Sequence, residues 1–444
     1  WRDTPARERA AVLFRAAELM RAEVLELSAL MTLEAGKTRR EANADADEAI
    51  DFLEYYGREM LRLDRPRRMG GVPGEHNLYF YQPRGVALVI APWNFPLAIL
   101  TGMTSAALVA GNPVIVKPAG STPIIAAQMA RILTEAGAPP GTVNFLPGPG
   151  GEVGDFLVRH PGVDLIAFTG SMEVGLGIIA QAAQHPGHES VKKVIAEMGG
   201  KNAVIVDTDA DLDVAVSEIV ASAFHYAGQK CSAASRVIVL EAAYDDLVRR
   251  LAEATRSLRV GPPEDPGTRV GPVISADART KIEGYIQRGM REGRLAAAVE
   301  PPAGGWPDDG YYVAPHVFVD VAPDAAIAQE EIFGPVVAVI RVKDMDEALT
   351  IANGVRYALT GGLISRSPAA IERARREFRV GNLYINRGIT GAMVERQPFG
   401  GFKMSGVGSK AGGPDYLPQF LEPRVVTENT MRRGFAPPEE LLEE

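Results

Sequence analysis

The sequence predicts an α/β protein of two open, mostly parallel sheets covered by helices, with a small β element appended. Three observations carry this reading. Short β-branched runs alternate with helix-period stretches along most of the chain, the pattern of parallel strands buried on both faces. At 444 residues the chain exceeds what one core ordinarily serves, so two or three domains are expected. Two further β-like segments, HNLYFYQP (76–83) and EPRVVTENT (422–430), fit neither alternating series and are read as pairing in a separate sheet.

The chain opens on a helix signal, with Thr4 as N-cap, Pro5 at the first helical position and Leu13, Ala17, Met20, Val24 and Leu27 on one stripe that ends near Gly36. Because Trp1 already lies inside that signal, a segment upstream of it is expected. The first series then places strands at 86–92, 113–118, 142–148, 164–170 and 191–200, with helices near 97–110, 123–136 and 152–159. The second places strands at 202–207, 236–240, 313–320, 335–342 and 380–386, with helices near 211–225, 243–257 and 345–353. The Gly- and Pro-rich stretch 300–310 reads as a surface loop. In sheets of this kind ligands bind at the carboxyl ends of the strands.

Composition narrows the function classes. A charged fraction of 23% and an apolar fraction of 46% are those of an ordinary globular protein. The net charge of -9 argues against nucleic acid or an anionic membrane as partner, since both require a basic face. No apolar run reaches membrane length, and a single cysteine rules out an internal disulfide, so a reducing, cytoplasmic setting is expected. The six histidines lack metal-ligand spacing, His185 and His188 in QHPGHE read as a surface loop, and no metal site is expected.

That single cysteine, Cys231, lies in AGQKCSAASR. A thiolate is the best nucleophile among side chains, although a lone Cys is more commonly a small buried hydrophobe. Asn94 in APWNFP sits on a strand-end turn where its amide can donate to an oxyanion, or can serve the turn itself. Lys117, at the end of the next strand, can meet ribose hydroxyls or phosphate, or be a solvated strand-end lysine. FTGS leads from strand to helix, where Gly170 and Ser171 can present donors to a pyrophosphate. It is not a P-loop, and LPGPGGEVG misses the dinucleotide fingerprint because Gly154 comes one residue late. Glu197 in EMGGKN can act as a general base, or belong to a hinge.

The motifs APWNFP, VKPAG, FTGS, EMGGKN, GQKCSA, EEIFGPV and PFGGFKMSG follow one another in one order from residue 91 to residue 406. Together they resemble the aldehyde dehydrogenase superfamily. The stretches YINRGITGAMVERQPFGGFKMSG (384–406) and KAGGPDYLPQF (410–420) are similar to its Δ1-pyrroline-5-carboxylate dehydrogenase branch, whose members oxidise glutamate γ-semialdehyde in proline breakdown, alone or within a bifunctional protein. The resemblance implies an aldehyde dehydrogenase-like fold. A Rossmann-like cofactor domain would occupy 1–68 and 84–198, an α/β catalytic domain 199–418, and a β oligomerisation flap with its C-terminal tail 69–83 and 419–444. A homodimer or higher homo-oligomer follows from the same likeness.

The resemblance also implies roles. Cys231 would be the nucleophile, Asn94 and the Cys231 N–H the oxyanion hole, and Glu197 the base that activates water. The cofactor would meet Trp93, Lys117, Ala119, Gly120, Gly148, Gly154, Phe168, Thr169, Gly170, Ser171, Val174, Glu331 and Phe333. Of these, Lys117 and Glu331 would hold the riboses, Ser171 the pyrophosphate and Phe333 the nicotinamide. Ser232, Gly391, Ala392 and Phe399 would bind substrate, with the α-carboxylate anchored by N–H groups and a hydroxyl. The implied cofactor is NAD; NADP is admitted too, because many NAD-preferring relatives carry an acidic residue where Gly120 stands. Two alternatives stay open here: the same chemistry on another small semialdehyde such as succinic semialdehyde, and a non-catalytic protein that keeps only the fold.

Overall fold

Apolar runs too short for helices pair into three principal sheets, and their connections cover them. The computed structural model describes residues 1–184, 187, 190–302, 305–307 and 310–431. His185, His188, part of the 300–310 stretch and the expected tail beyond 431 lie outside the described residues.

A six-stranded sheet has the order Gly406–Val407, Lys193–Glu197, Leu165–Thr169, Ala87–Ile90, Val114–Lys117, Val143–Phe145. Its pairs are parallel except that Gly406–Val407 runs antiparallel to Lys193–Glu197. Leu88, Val89, Leu165 and Ile166 are fully buried, which requires cover on both faces. Helices Ala6–Ala22, Val24–Ala35, Arg39–Leu63 and Ala98–Val109 form one core with the sheet through Leu13, Leu27, Leu53 and Leu100. Helix Met172–Ala183 covers the other face, where Ile178 packs with Leu88, Ile166 and Phe168.

A seven-stranded sheet has the order Arg294–Ala298, His316–Val319, Val336–Val342, Ala234–Leu240, Asn202–Val206, Thr360–Ile364, Asn382–Ile385, parallel throughout except at Arg294–Ala298. The third sheet joins Arg67–Arg68, Glu75–Pro83 and Leu421–Asn429, all antiparallel, in a register running from Leu421 opposite Pro83 to Asn429 opposite Glu75. The two unassigned β-like segments therefore do pair with each other.

Several details differ from expectation. Pro5 has an extended ψ of 140, so the first helix starts at Ala6; Pro5 rather than Thr4 is its N-cap, and no side chain caps it. That helix stops at Ala22, a second runs Val24–Ala35, and the left-handed Gly36 ends it. Within the 199–418 stretch Gly406–Val407 joins the six-stranded sheet, and Tyr416 and Leu417 enter its helical core, as does Phe420 from the stretch placed with the flap.

Arg236, only 1% exposed, ties the seven-stranded sheet to the helix beside it. Its guanidinium donates to the carbonyls of Lys201 (3.0 Å), Ile351 (2.8 Å) and Ala352 (3.0 Å), the last two in the final turn of helix Met345–Asn353, where the Ile351 carbonyl also accepts the Gly354 N–H. Arg236→Leu should therefore cost about 3 kcal/mol or more by leaving buried carbonyls unpaired. A clear fall in the thermal midpoint is expected; an unchanged midpoint would refute the tie.

Candidate active site

Beyond helix Leu212–Phe224 the chain reverses through Tyr226, Ala227 and Gly228, all left-handed, with φ of 54, 52 and 68. Only glycine is at ease in that region, and at Gly228 a Cβ would stand 2.4 Å from the Gly334 carbonyl oxygen. The reversal delivers Gln229, Lys230 and Cys231 to the amino ends of strands Asn202–Val206 and Ala234–Leu240. Asn202 Nδ2 donates to the carbonyls of Cys231 (2.7 Å) and Ala233 (2.9 Å), and Thr360 Oγ1 donates to that of Ser232 (3.1 Å). With its carbonyls held, the turn leaves the Cys231 N–H without a partner among the described residues. Burial first, then the carboxylates of Glu197 and Glu331, push the Cys231 thiol up to about 12, against a Ser232 N–H that favours the thiolate.

Asn94 faces this turn from the carboxyl end of strand Ala87–Ile90. Its Nδ2 donates to the Gln229 carbonyl at 3.0 Å, and Lys37 Nζ donates to its own carbonyl at 2.7 Å. An amide nitrogen carries two donors, so one fixes the side chain and the second stays available to an oxyanion. Lys37 is itself fully buried, paired with Asp45 at 2.9 Å and seated over the rings of Phe95 (4.1 Å) and Tyr226 (4.5 Å).

Two cavities meet at Cys231. The outer one, of about 230 Å³, is a cleft lined by Trp93, Asn94, Thr169, Gly170, Ser171, Glu331 and Phe333, among others. The inner one, of about 90 Å³, is lined by Glu48, Phe52, Tyr56, Glu197, Ser232, Gly391, Ala392, Phe399 and Tyr416 with further apolar groups. Cys231, Ile99, Thr169 and Met198 line both. A nucleophile so placed can reach a ligand in either cavity.

The carboxyls of the inner cavity are tuned by burial. Glu197 is pushed up to about 7, chiefly by desolvation and partly offset by the Lys410 ammonium. A carboxylate of that strength can take a proton from water near neutral pH. Glu48 is pushed up to about 8 by burial and by the charges of Asp45 and Asp51, with Lys37 and Lys230 opposing. At neutral pH burial keeps this carboxyl mostly protonated, and a cation placed beside it would draw it into its charged form.

A model of the aldehyde dehydrogenase family matches residues 1–426. The chain belongs to the aldehyde dehydrogenase family. A 1-pyrroline-5-carboxylate dehydrogenase of Geobacillus sp. (strain WCH70) is 54% identical over 431 residues, covering 96% of this aldehyde dehydrogenase and 82% of that protein. The crystal structure of proline utilization A from Bdellovibrio bacteriovorus matches with a TM-score of 0.95 at 54% identity, over 99% of this chain but only 45% of that one. The 1-pyrroline-5-carboxylate dehydrogenase from Thermus with bound NAD matches with a TM-score of 0.94 at 50% identity, over 97% of this chain and 83% of that one.

In this aldehyde dehydrogenase the structure does not bring every expected residue to the two cavities. Lys117, Ala119, Gly120, Gly148, Gly154, Phe168 and Val174 line neither. Lys117 is buried at its strand end, with Nζ donating to the Pro118 carbonyl at 3.0 Å. Phe168 lies in the core beneath Gly170, where a Cβ would come within 2.6 Å of its ring. The Ser171 hydroxyl accepts from the Val174 N–H at 3.3 Å and so caps helix Met172–Ala183. Sequence reasoning missed Lys281, which lines the cleft from helix Ala276–Glu292, and Glu48, which enters the inner cavity from helix Arg39–Leu63. An acidic run, EANADADE, was the only signal at Glu48, and it reads as a solvated helix face.

The free donor of Asn94 gives a direct test. Asn94→Ala should lower kcat by about two to three orders of magnitude, the usual cost of one oxyanion donor. Retention of near-full kcat would remove Asn94 from that role.

Proposed function

We propose that this chain oxidises L-glutamate γ-semialdehyde, the open form of Δ1-pyrroline-5-carboxylate, to L-glutamate in proline breakdown, with NAD as hydride acceptor. The inner cavity carries the reading. Ser232, Gly391 and Ala392 supply a hydroxyl and backbone N–H groups for an α-carboxylate, and Gly391, with φ 73, leaves open space where a Cβ would stand. Glu48 in the same cavity makes no hydrogen bond or ion pair among the described residues, and an α-ammonium beside it would favour its ionised form. Succinic semialdehyde has no ammonium and would leave this carboxyl unmatched.

The outer cleft fits a dinucleotide. Trp93 and Phe333 meet edge to face at 5.5 Å in its wall, and Glu331 with Lys281 can take ribose hydroxyls. A Cβ at Gly199 would lie 2.1 Å from a Glu331 oxygen, so glycine is what lets that carboxylate occupy its place. The start of helix Met172–Ala183, with Gly170 and Ser171, suits the pyrophosphate. NADP stays admissible, because nothing lies within 4 Å of a Cβ built at Gly120.

When bound, the nicotinamide accepts the hydride that the aldehyde carbon loses. The protein supplies the rest. Cys231 Sγ, once its proton has passed to solvent, bonds to the aldehyde carbon, while the free Asn94 donor and the Cys231 N–H stabilise the oxygen that becomes negative. After oxidation Cys231 holds the acyl group as a thioester. Glu197 takes a proton from the water that attacks this carbonyl, the C–S bond breaks, and glutamate and the Cys231 sulfur are released.

In this reading the six-stranded unit is the cofactor domain, the seven-stranded unit the catalytic domain and the three-stranded sheet an oligomerisation flap. The outer strand Leu421–Asn429 exposes Val425 (58%) and Val426 (40%), the edge a second copy would cover in a homo-oligomer. A cytoplasmic setting belongs to the same reading, since the Cys231 thiol must stay reduced.

Two measurements decide. The specificity constant should favour glutamate semialdehyde over succinic semialdehyde by about a hundredfold or more, and Glu48→Gln should remove most of that margin. Equal constants in the unmutated protein would overturn the substrate assignment. In sedimentation the protein should run as a homo-oligomer that Val425→Asp dissociates; a monomeric parent would dismiss the flap's role.

A further inference from the structure

Lys410 follows strand Gly406–Val407, which pairs with the strand that ends in the base Glu197. The end of strand Lys193–Glu197 is joined to the segment before Lys410: Gly406 pairs with Glu197, and the Met198 N–H donates to the Ser405 carbonyl at 2.9 Å. The chain then turns, and the half-buried Lys410 ammonium spends its three donors on the carbonyls of Gly381 (2.6 Å) and Gly400 (2.7 Å) and on Asn382 Oδ1 (2.9 Å). All three acceptors are neutral. The ammonium is thus fixed in place, and among the described residues no carboxylate pairs with it.

Its bonds also reach the substrate loop. Asn382 Nδ2 donates to the Pro398 carbonyl at 2.9 Å, and Phe399 and Ala411 exchange both backbone hydrogen bonds, at 2.9 and 2.8 Å. Phe399 and Ala411 both line the inner cavity beside Glu197.

We infer that Lys410 is a positioning residue for the hydrolytic step: its fixed charge favours the ionised Glu197 carboxylate, and its hydrogen bonds hold the Phe399 loop against the substrate. The other titratable groups facing Glu197 are the Cys231 thiol, the Tyr56 and Tyr416 phenols, and Glu48 across the cavity. All are acids that are neutral or anionic, so none can supply positive charge, and burial raises each of them toward its neutral form. Lys410 alone offsets the burial of Glu197, and Glu197 in turn opposes the lowering that burial imposes on Lys410.

This inference rests on the aldehyde-oxidising reading. Its test is hydrolysis of the Cys231 thioester in single turnovers of the full chain with NAD and glutamate semialdehyde, followed by rapid quench across pH. Lys410→Met should move the limb set by Glu197 upward by about one pH unit, an about five-fold loss of rate at pH 7 that closes at high pH. Lys410→Gln is a second charge-free variant should the first not fold, and Lys410→Arg should restore the parent midpoint. A purely structural role would raise KM and leave the midpoint in place. An unmoved limb in a folded charge-free variant, beside an active parent, overturns this inference alone; a parent that oxidises no aldehyde overturns it together with the functional reading.

Discussion

The relation among the segments that build the active site depends on one buried ammonium. Lys37 is out of contact with water, and such a charge persists only where its surroundings replace hydration. Asp45 supplies the counter-charge, the rings of Phe95 and Tyr226 supply their faces, and the Asn94 carbonyl accepts a hydrogen bond. Those partners lie on helix Arg39–Leu63, on the Asn94 turn and on the reversal before Cys231. Asp45 extends the grip through Oδ1, which accepts the Ala98 N–H at the start of the next helix at 2.6 Å. One side chain thereby fixes the distance between the oxyanion donor and the nucleophile's loop.

Around that centre the site is held by neutral hydrogen bonds and by missing side chains. Asn202 binds the carbonyls on either side of Ser232 and accepts the Thr360 N–H at 3.0 Å, so one amide sets the Cys231 turn against two strands. Gly199 and Gly228 stand where any Cβ would displace Glu331 or the Gly334 carbonyl. Phe333, with φ 59, accepts strain in the wall of the cleft. Rigid donors and carbonyls cost no reorganisation during reaction, which suits chemistry that develops negative charge on oxygen.

Much of this was legible in the chain. Strands such as Ala87–Ile90 and Leu165–Thr169 are continuous apolar runs, and short-range pattern alone finds them. Cys231, Asn94 and Glu197 sit at strand ends or turns between motifs that are themselves local. Strand Thr360–Ile364 was not legible, although it occupies an interior place in the seven-stranded sheet. Its glycines hide the apolar signal, yet the packing needs them: a Cβ at Gly361 would come within 2.4 Å of the Phe378 ring. Glu48 and Lys281 were missed because each is one charged residue on a helix rich in charge, and only the tertiary packing turns them into cavities.

The raised thiol has a consequence for survival rather than for turnover. Peroxide attacks thiolates far faster than thiols, so a sulfur whose proton is held strongly by burial is a slow target for oxidation. The protein has no second cysteine with which to form a protective internal disulfide. Burial favours the protonated sulfur in the resting molecule, so whatever draws the proton off Cys231 for catalysis also makes it the better target for an oxidant.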